Sequence, residues 1–380
     1  MISRGVKMFY RTIKGILSII LISVIGISSV NVTASACQSV PASASAKGDS
    51  EEVEIGSRFA DLIFGKGGKG TRERKVNETY LCPGGDAFGV KILDGRVSVA
   101  RVITTLEEGT LEADDIIISI NGVSVSSIED VKRATSAYSG DPLCFSIIRN
   151  GKTVTEYLKP ASSGSDYHLG VILTDLTSGI GTVTYYNPEN GEFGGLGHGI
   201  LSKDGKSAVK LTRGTATGVI LGGIKKGKDG DPGELRGVLT DRAIGTLSAN
   251  TECGVFGNLT EYNNTRSAIP CADRSEVKCG EATIISTVKN GNRTEYSVRI
   301  SDIDLSSSGS KSFRITVTDE TLVALTGGIV RGMSGSPIIQ NGKLVGAVTH
   351  VMINDPTEGY GIFIENMLSA AEVMSKAKAS

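Results

Sequence analysis

The chain has 380 residues, enough for two ordinary domains and a terminal segment. Its 40 basic and 41 acidic residues nearly cancel, which gives no reason to expect nucleic acid or another polyanion as a partner. Forty-nine glycines, nine prolines and no tryptophan, together with plentiful valine and isoleucine, predict short strands joined by tight turns. This composition is not that of a collagen-like or disordered chain.

Residues 1–36 have the pattern of an export signal. A basic stretch precedes an uncharged, largely apolar run from Gly15 to Val30, and small residues occupy positions 34–36. This order predicts cleavage after Ala36. The alternative is that the apolar run is kept as a membrane anchor with its basic end inside. Cys37 lacks the upstream leucine typical of a lipidation site, so lipidation is not favoured.

The cysteines do not form a metal-binding pattern. None of the six belongs to a CxxC pair, so we expect no zinc site and no other metal. Outside the cytoplasm, two of Cys253, Cys271 and Cys279 can form a disulfide, and free buried thiols are the equal alternative.

Residues 37–75 are rich in alanine, serine, glycine and charge, and we interpret them as an exposed linker. From residue 76 to 161 the pattern changes to short strands around one helix. The helix is predicted over Ile128–Tyr138, where apolar residues recur at helical spacing. Asn-Gly pairs at 121–122 and 150–151 predict hairpin turns.

Residues 76–161 resemble a PDZ domain of the bacterial protease type. The resemblance rests on the Gly-rich stretch 81–92, on residues 114–122 and on the following helix. Asp114 stands where the family signature has glycine, and aspartate tolerates positive φ better than most residues. The resemblance implies that a glycine-rich loop and the next strand bind a peptide. The residues expected to do so are Gly84, Gly85, Phe88, Gly89 and Val90.

Residues 166–380 consist of many short apolar runs separated by glycine-rich turns. This pattern predicts an antiparallel β-barrel domain. The last segment, from Glu365 to Lys378, has apolar residues at helical spacing and predicts a closing helix. The expected fold is therefore mainly β: a signal or anchor helix, a PDZ-like domain, and a chymotrypsin-like β-barrel peptidase domain with a C-terminal helix.

The turn from Gly332 to Pro337 is the strongest indication of catalytic chemistry. A serine flanked by glycines in a tight turn exposes its hydroxyl, while nearby N–H groups point at one spot. We therefore expect Ser334 to be a nucleophile, with Gly332 and Gly335 beside an oxyanion hole. The order of turn, proline, strand and Asn-Gly hairpin resembles that of chymotrypsin-like peptidases, although Ser336 stands where glycine is usual.

A serine nucleophile needs a base, and the chain has only three histidines. His198 lies among glycines in the stretch 194–200 and precedes Ser334, so it is the predicted base. His350, at the end of the strand after the serine turn, is the rival and is otherwise a residue near the site. His168 is expected on the surface.

The acid that orients the base is not decided by the residues alone. Four aspartates are candidates, and a strand-end aspartate is more often a turn residue than a catalytic one. They are Asp241, Asp302, Asp304 and Asp319.

The chain also resembles the SpoIVB peptidase family over nearly its whole length. The resemblance rests on the apolar N-terminus, the PDZ-like module, and the stretches 194–200, 250–257, 332–337 and 346–351. It implies His198, Asp319 and Ser334 as the catalytic triad. It further implies an enzyme exported across the forespore membrane into the intermembrane space. There it would cleave itself and a membrane-bound regulator of an intramembrane protease, which leads to activation of a late sigma factor.

Two other functions remain open at this level. A non-catalytic PDZ adaptor of the envelope is one, although all three triad residue types are present in open, Gly-rich surroundings. A general quality-control protease of the Deg type is the other, although those enzymes place the PDZ domain after the protease domain. No organic cofactor is expected for any of these functions.

Overall fold

The computed structural model describes residues 76–106, 108–163, 166–201, 208–263, 265–288 and 291–379. The predicted export signal and the predicted linker, residues 1–75, lie outside this part of the chain. None of the helices described there is long and apolar enough to cross a membrane. The described chain is mainly β, in agreement with the expectation from composition.

The strands are numbered in chain order. They are β1 (Tyr80–Pro83), β2 (Ala87–Val102), β3 (Ile116–Ile120), β4 (Val123–Ser124), β5 (Leu143–Arg149), β6 (Lys152–Leu158), β7 (Ala161–Ser163), β8 (Asp166–His168), β9 (Val171–Tyr186), β10 (Glu192–Gly195), β11 (Arg213–Lys225), β12 (Glu234–Thr251), β13 (Gly254–Leu259), β14 (Ile269–Pro270), β15 (Gly280–Thr287), β16 (Arg293–Ser301), β17 (Phe313–Val317), β18 (Pro337–Gln340), β19 (Lys343–Val351) and β20 (Glu358–Phe363).

Three α-helices accompany them: α1 (Ile128–Ser136), α2 (Glu320–Thr326) and α3 (Ile364–Ala379). Short 3-10 helices cover Val76–Glu78 and Arg274–Glu276.

Two rings of antiparallel strands form the body of the molecule. In the first ring the order is β2, β9, β10, β13, β12 and β11, and β11 pairs again with β2. The second is a closed barrel in the order β15, β16, β17, β20, β19 and β18. Each ring has its own buried apolar core, the first around Phe88 and Phe193 and the second around Phe313 and Phe363.

The C-terminal helix α3 completes a third apolar cluster. Ile364 and Met367, at its start, are fully buried and share this cluster with Phe256 of the first ring and Ile362 of the second. The predicted closing helix is therefore confirmed. Its role is to cover apolar surface where residues of the two barrels meet.

A small module interrupts the first ring between two of its strands. The first part of β2 pairs with the second part of β9, whereas Val97–Val102 of β2 pairs with Val171–Thr174 of β9 and also with β3. The inserted module, residues 97–173, contains β3 to β8 and α1 around a separate core. Two long continuous strands thus connect the module to the barrel.

The structure corrects the predicted peptide-binding residues. Gly89 and Val90 pair with β9 on one edge and with β11 on the other, and Phe88, beside them on β2, pairs with β9 and is fully buried. A strand paired on both edges cannot accept an added peptide strand. The carbonyl oxygens of Gly84 and Gly85 accept hydrogen bonds from Arg293 and Thr287 of the second barrel. These five residues therefore belong to the peptidase body. The predicted boundary between the two domains, at residues 161–166, lies inside the inserted module.

The local signals within the module agree with the structure. Helix α1 begins after Ser127 with a capping box, in which Ser127 and Asp130 bond to each other's backbone N–H. Asn121 and Asn150, each followed by glycine, have positive φ as hairpin turns of this kind require. Asp114 has φ +72°, the conformation expected where the related signature has glycine.

Candidate active site

The turn that carries His198 follows directly from β10. Leu196 and Gly197 both have φ of +67°, which brings the chain sharply into the cleft. A Cβ atom on Gly197 would lie 2.9 Å from the side chain of Thr349, so glycine is required there. His198 itself is half-buried.

A backbone carbonyl determines the tautomer of His198. The Nδ1 atom lies 2.9 Å from the carbonyl oxygen of Gly199, so Nδ1 carries the proton and donates it. The Nε2 atom is then left with a lone pair, as a general base requires. Burial lowers the pKa of His198 and outweighs the opposing effect of the Gly199 carbonyl, which favours the neutral, basic form.

The turn that carries Ser334 is built on glycines with positive φ. Gly332 has φ +99° and Gly335 has φ +94°. A Cβ atom on Gly335 would lie 2.0 Å from the Thr182 oxygen and 2.4 Å from the Leu196 nitrogen. The serine turn therefore packs directly against the turn of His198, and the predicted nucleophile and base lie at one point of the structure.

Ser334 is held by a neighbouring strand. Its Oγ donates to the carbonyl oxygen of Thr349 on β19, at 2.7 Å. Thr349 directly precedes His350, whose ring packs against His198, so the serine is tied to the strand that carries the second histidine. Sequence reasoning did not single out Thr349, because nothing distinguishes a strand threonine of this kind until the turn is folded against it.

His350 packs against His198. The ring centroids are 5.0 Å apart, and the rings are tilted by 38°. The Nδ1 atom of His350 is buried and has no hydrogen-bond partner among the described residues. Burial, with smaller contributions from His198 and Lys311, lowers the pKa of His350 to about 3. His350 is therefore neutral at physiological pH.

Two N–H groups of the serine turn remain available. Among the described residues, neither the N–H of Gly332 nor that of Ser334 donates to any acceptor. Unpaired N–H groups beside a serine hydroxyl are the donors that an oxyanion hole needs. The N–H of Gly335, by contrast, donates to Val348.

The structure does not bring Asp319 to the histidines. Its carboxylate accepts hydrogen bonds from the N–H of Leu322, as the N-cap of α2, and from the N–H of Ser297. Among the described residues, no hydrogen bond or ion pair joins Asp319 to His198 or His350. The arrangement therefore gives no support to Asp319 as the acid of the triad.

The other three aspartates also have partners other than His198. Asp241 pairs with Lys91, Asp302 pairs with Arg314, and Asp304 accepts from Ser306. Among the described residues, no carboxylate forms a hydrogen bond or ion pair with His198.

The inserted module has a second feature that fits ligand binding. Val171–Thr174 pairs with β2 on one edge and with no described strand on the other. Helix α1 lies antiparallel along this stretch, since the N–H of Ile128 donates to Asp175 and Tyr138 contacts the ring of Tyr167. This is an open strand edge beside a helix.

The turn that precedes this edge exposes backbone donors. Gly170 has φ +69°, and a Cβ there would lie 2.4 Å from the Thr104 oxygen. Within the described structure the N–H groups of Leu169 and Gly170 donate to no acceptor. Such a turn can bind a carboxylate. It lies about eighty residues after the loop that the sequence singled out.

No metal site is visible in the described structure: no three His, Cys, Asp or Glu side chains are grouped to hold an ion there. In the same residues Cys253 and Cys279 form no disulfide.

A comparison with protein families now agrees with this geometry. The model of the SpoIVB peptidase S55 family matches residues 165–368, more than half of the chain. The chain belongs to the SpoIVB peptidase S55 family. It is a serine endopeptidase, and Ser334, His198 and His350 all lie within the matched region. The matched region begins at residue 165 and therefore leaves out β2, the first strand of the first barrel.

Other comparisons are more distant. No curated protein gives a significant match. Among solved structures, the active form of the Rv3671c protease from M. tuberculosis is 14% identical over 50% of this chain and 72% of that chain, with TM-score 0.29. The HtrA-type protease AlgW with a tripeptide is 13% identical over 52% and 56%, with TM-score 0.32. Deg5 is 15% identical over 50% and 80%, with TM-score 0.30. Scores this low support no inference about fold or activity.

Proposed function

We propose that this serine endopeptidase is a sporulation signalling protease that cleaves itself and a membrane-bound regulatory protein. The observation that carries the peptidase chemistry is the direct contact between the turns of His198 and Ser334. The signalling role is supported by membership of the SpoIVB peptidase S55 family. Export across the forespore membrane is supported by the signal-like pattern of residues 1–36.

The proposed reaction is acyl transfer from a peptide to Ser334. The Ser334 hydroxyl leaves Thr349 and gives its proton to Nε2 of His198 as Oγ attacks the scissile carbonyl carbon. The N–H groups of Gly332 and Ser334 bind the oxyanion. The His198 proton then passes to the leaving nitrogen as the C–N bond breaks. Water attacks the acyl-enzyme, and the proton returns to Ser334 through His198.

The experiment that tests this proposal compares the chain lacking residues 1–36 with its Ser334→Ala variant. The parent is expected to cleave itself within residues 37–75 and to react with a fluorophosphonate probe at Ser334. The variant is expected to stay whole and unlabelled. N-terminal sequencing and intact-mass measurement locate any cleavage.

The matched control is Ser124→Ala, which removes an exposed serine of the inserted module. It is expected to behave like the parent. If Ser334→Ala cleaved itself at the parental rate, Ser334 would not be the nucleophile. If the parent were labelled but never cut itself or a membrane-bound substrate, the assignment of Ser334 as nucleophile would be supported and the signalling role would be contradicted.

A second function, peptide binding, is favoured by the open edge of β9. We propose that the inserted module is PDZ-like and binds the carboxyl terminus of a protein, either the substrate or another copy of the enzyme. The peptide would add a strand beside Val171–Thr174, under α1, with its carboxylate at the N–H groups of Leu169 and Gly170. The proposed peptide-binding site is therefore this edge and not the glycine-rich stretch 84–90, because that stretch lies inside the peptidase body.

A further inference from the structure

The oxyanion-binding turn is held by side chains from another part of the chain. Thr182 and Thr184 are alternate residues of β9, so both point to the same face of that strand. The Oγ1 of Thr182 donates to the carbonyl oxygen of Gly332 at 2.9 Å. The Oγ1 of Thr184 donates to the carbonyl oxygen of Gly335 at 2.8 Å.

Thr182 also acts through its backbone. Its N–H donates to the carbonyl oxygen of Ser334 at 2.9 Å, and its own carbonyl accepts from the N–H of Leu196 in the histidine turn. One residue therefore fixes two carbonyls of the serine turn and one N–H of the histidine turn. Both threonines are fully buried, so water cannot replace their hydroxyl groups as donors.

The remaining carbonyls of the turn have partners within the second barrel or on β12. Arg331 accepts from the N–H of Leu235, and Met333 accepts from the N–H and hydroxyl of Ser336. With the threonine bonds, every carbonyl from Arg331 to Gly335 is therefore occupied. A peptide plane whose carbonyl is fixed cannot rotate. The Arg331 and Met333 carbonyls share their planes with the N–H groups of Gly332 and Ser334 and fix these donors directly. The Gly332 carbonyl, held by Thr182, fixes the plane that joins the two donor planes.

As a result, each of the two unpaired N–H groups is held in a fixed direction. The N–H groups of Gly332 and Ser334 are the only ones of the turn from 332 to 336 that donate to no acceptor in the described structure. Gly332 has φ +99° and no side chain, so the bond from Thr182 to its carbonyl is what restrains the peptide plane between the two donors.

We propose that Thr182 and Thr184 are positioning residues of the oxyanion hole, acting through the Gly332 and Gly335 carbonyls. This inference rests on the proposed role of Ser334. It predicts that the hydroxyl groups matter for transition-state binding and not for binding of the substrate in its ground state. The bulk of each threonine matters only for packing.

The test replaces Thr182 with valine, which keeps the shape and removes the hydroxyl, and with serine, which keeps the hydroxyl. For Thr182→Val we expect kcat on a peptide substrate to fall about 10- to 100-fold with KM nearly unchanged, since the loss of one oxyanion donor costs roughly 10²–10³ in kcat. Affinity for a peptide boronate, which presents a tetrahedral oxygen, should fall by a similar factor. Thr182→Ser should recover most of both losses.

The matched control is Thr217→Val. Thr217 is a buried threonine of the same barrel whose hydroxyl has no partner in the described structure. Its replacement should leave kcat and boronate affinity unchanged. If Thr182→Val does not fold, as judged by circular dichroism and thermal unfolding, Thr184→Val provides the same comparison.

Two results overturn the proposal. One is a folded Thr182→Val or Thr184→Val enzyme with parental kcat and boronate affinity. The other is a loss that Thr182→Ser does not recover. Failure of the proposed function looks different, because the parent itself would then react with neither the fluorophosphonate nor the boronate.

Discussion

His198 and His350 form a pair of neutral imidazoles in place of a histidine and a carboxylate. The Gly199 carbonyl orients His198, and burial keeps both rings uncharged. His350 and, beyond it, the ammonium group of Lys311 are the titratable groups near the base. Neither can stabilise an imidazolium as a carboxylate does.

The pH dependence of kcat/KM follows from this environment. The base must be unprotonated, and its pKa lies below the ordinary value of 6.5. We therefore expect activity to fall along a single acid limb whose midpoint lies below pH 6.5. Initial rates of a peptide substrate between pH 4 and 9 measure it.

The control for the pH profile is His168→Gln, which removes an exposed histidine of β8 and should not shift the midpoint of the acid limb. A midpoint above 6.5 in the parent would mean that a negative group approaches His198, and it would contradict the neutral pair.

At the scale of elements, the short helix α2 depends on Asp319. This carboxylate is the N-cap and also ties the helix to Ser297 of β16. An aspartate in the first of these roles is replaceable by asparagine, which caps helices equally well, but not by alanine. A catalytic acid tolerates neither change.

We predict that Asp319→Ala lowers the free energy of unfolding by about 1 kcal/mol, whereas Asp319→Asn changes it little. Both variants should keep kcat within a few-fold of the parent. Denaturant unfolding and steady-state rates at pH 7.5 are the measurements. A fall of about 10⁴ in the kcat of Asp319→Asn, the size expected for a triad acid, would restore Asp319 to the triad.

At the scale of the whole molecule, the module and the active site share one strand. β9 begins at the open edge beside α1 and ends, past Thr182 and Thr184, among the residues of the first barrel. The proposed peptide-binding edge and the two threonines beside the serine turn thus lie on the same sixteen-residue strand. The pairing of β2 with β9 in the first barrel nevertheless extends to the edge of the module, where Ile92 lies opposite Thr177.

This register permits a clean excision. The Leu93 carbonyl accepts from the N–H of Thr212, just before β11, so the neighbouring Ile92 directs its backbone groups to Thr177 of β9. Replacing residues 93–176 by Asn-Gly should close a two-residue hairpin. We expect a folded protein that still reacts with a fluorophosphonate at Ser334. It should lose binding of carboxyl-terminal peptides, measured by fluorescence anisotropy.

The point variant Gly170→Val is the companion, because it leaves the barrel intact and places a β-branched side chain at positive φ in the carboxylate turn. It should weaken peptide binding only. Equal peptide affinity in the excised chain and the parent would contradict the open edge of β9 as the peptide-binding site.

The sequence by itself determined whatever depends on neighbouring residues. It placed the Ser334 turn, the His198 turn, the Asn-Gly hairpins, helix α1 and the closing helix, because glycine conformation and periodicity are local properties. It also indicated a peptidase of the correct family. Only the tertiary structure decided that β2 and β9 are single long strands that cross the boundary of the inserted module. Strand pairing, which depends on distant partners, also moved residues 84–90 into the barrel, left Asp319 as a helix cap and brought Thr182 to the oxyanion turn.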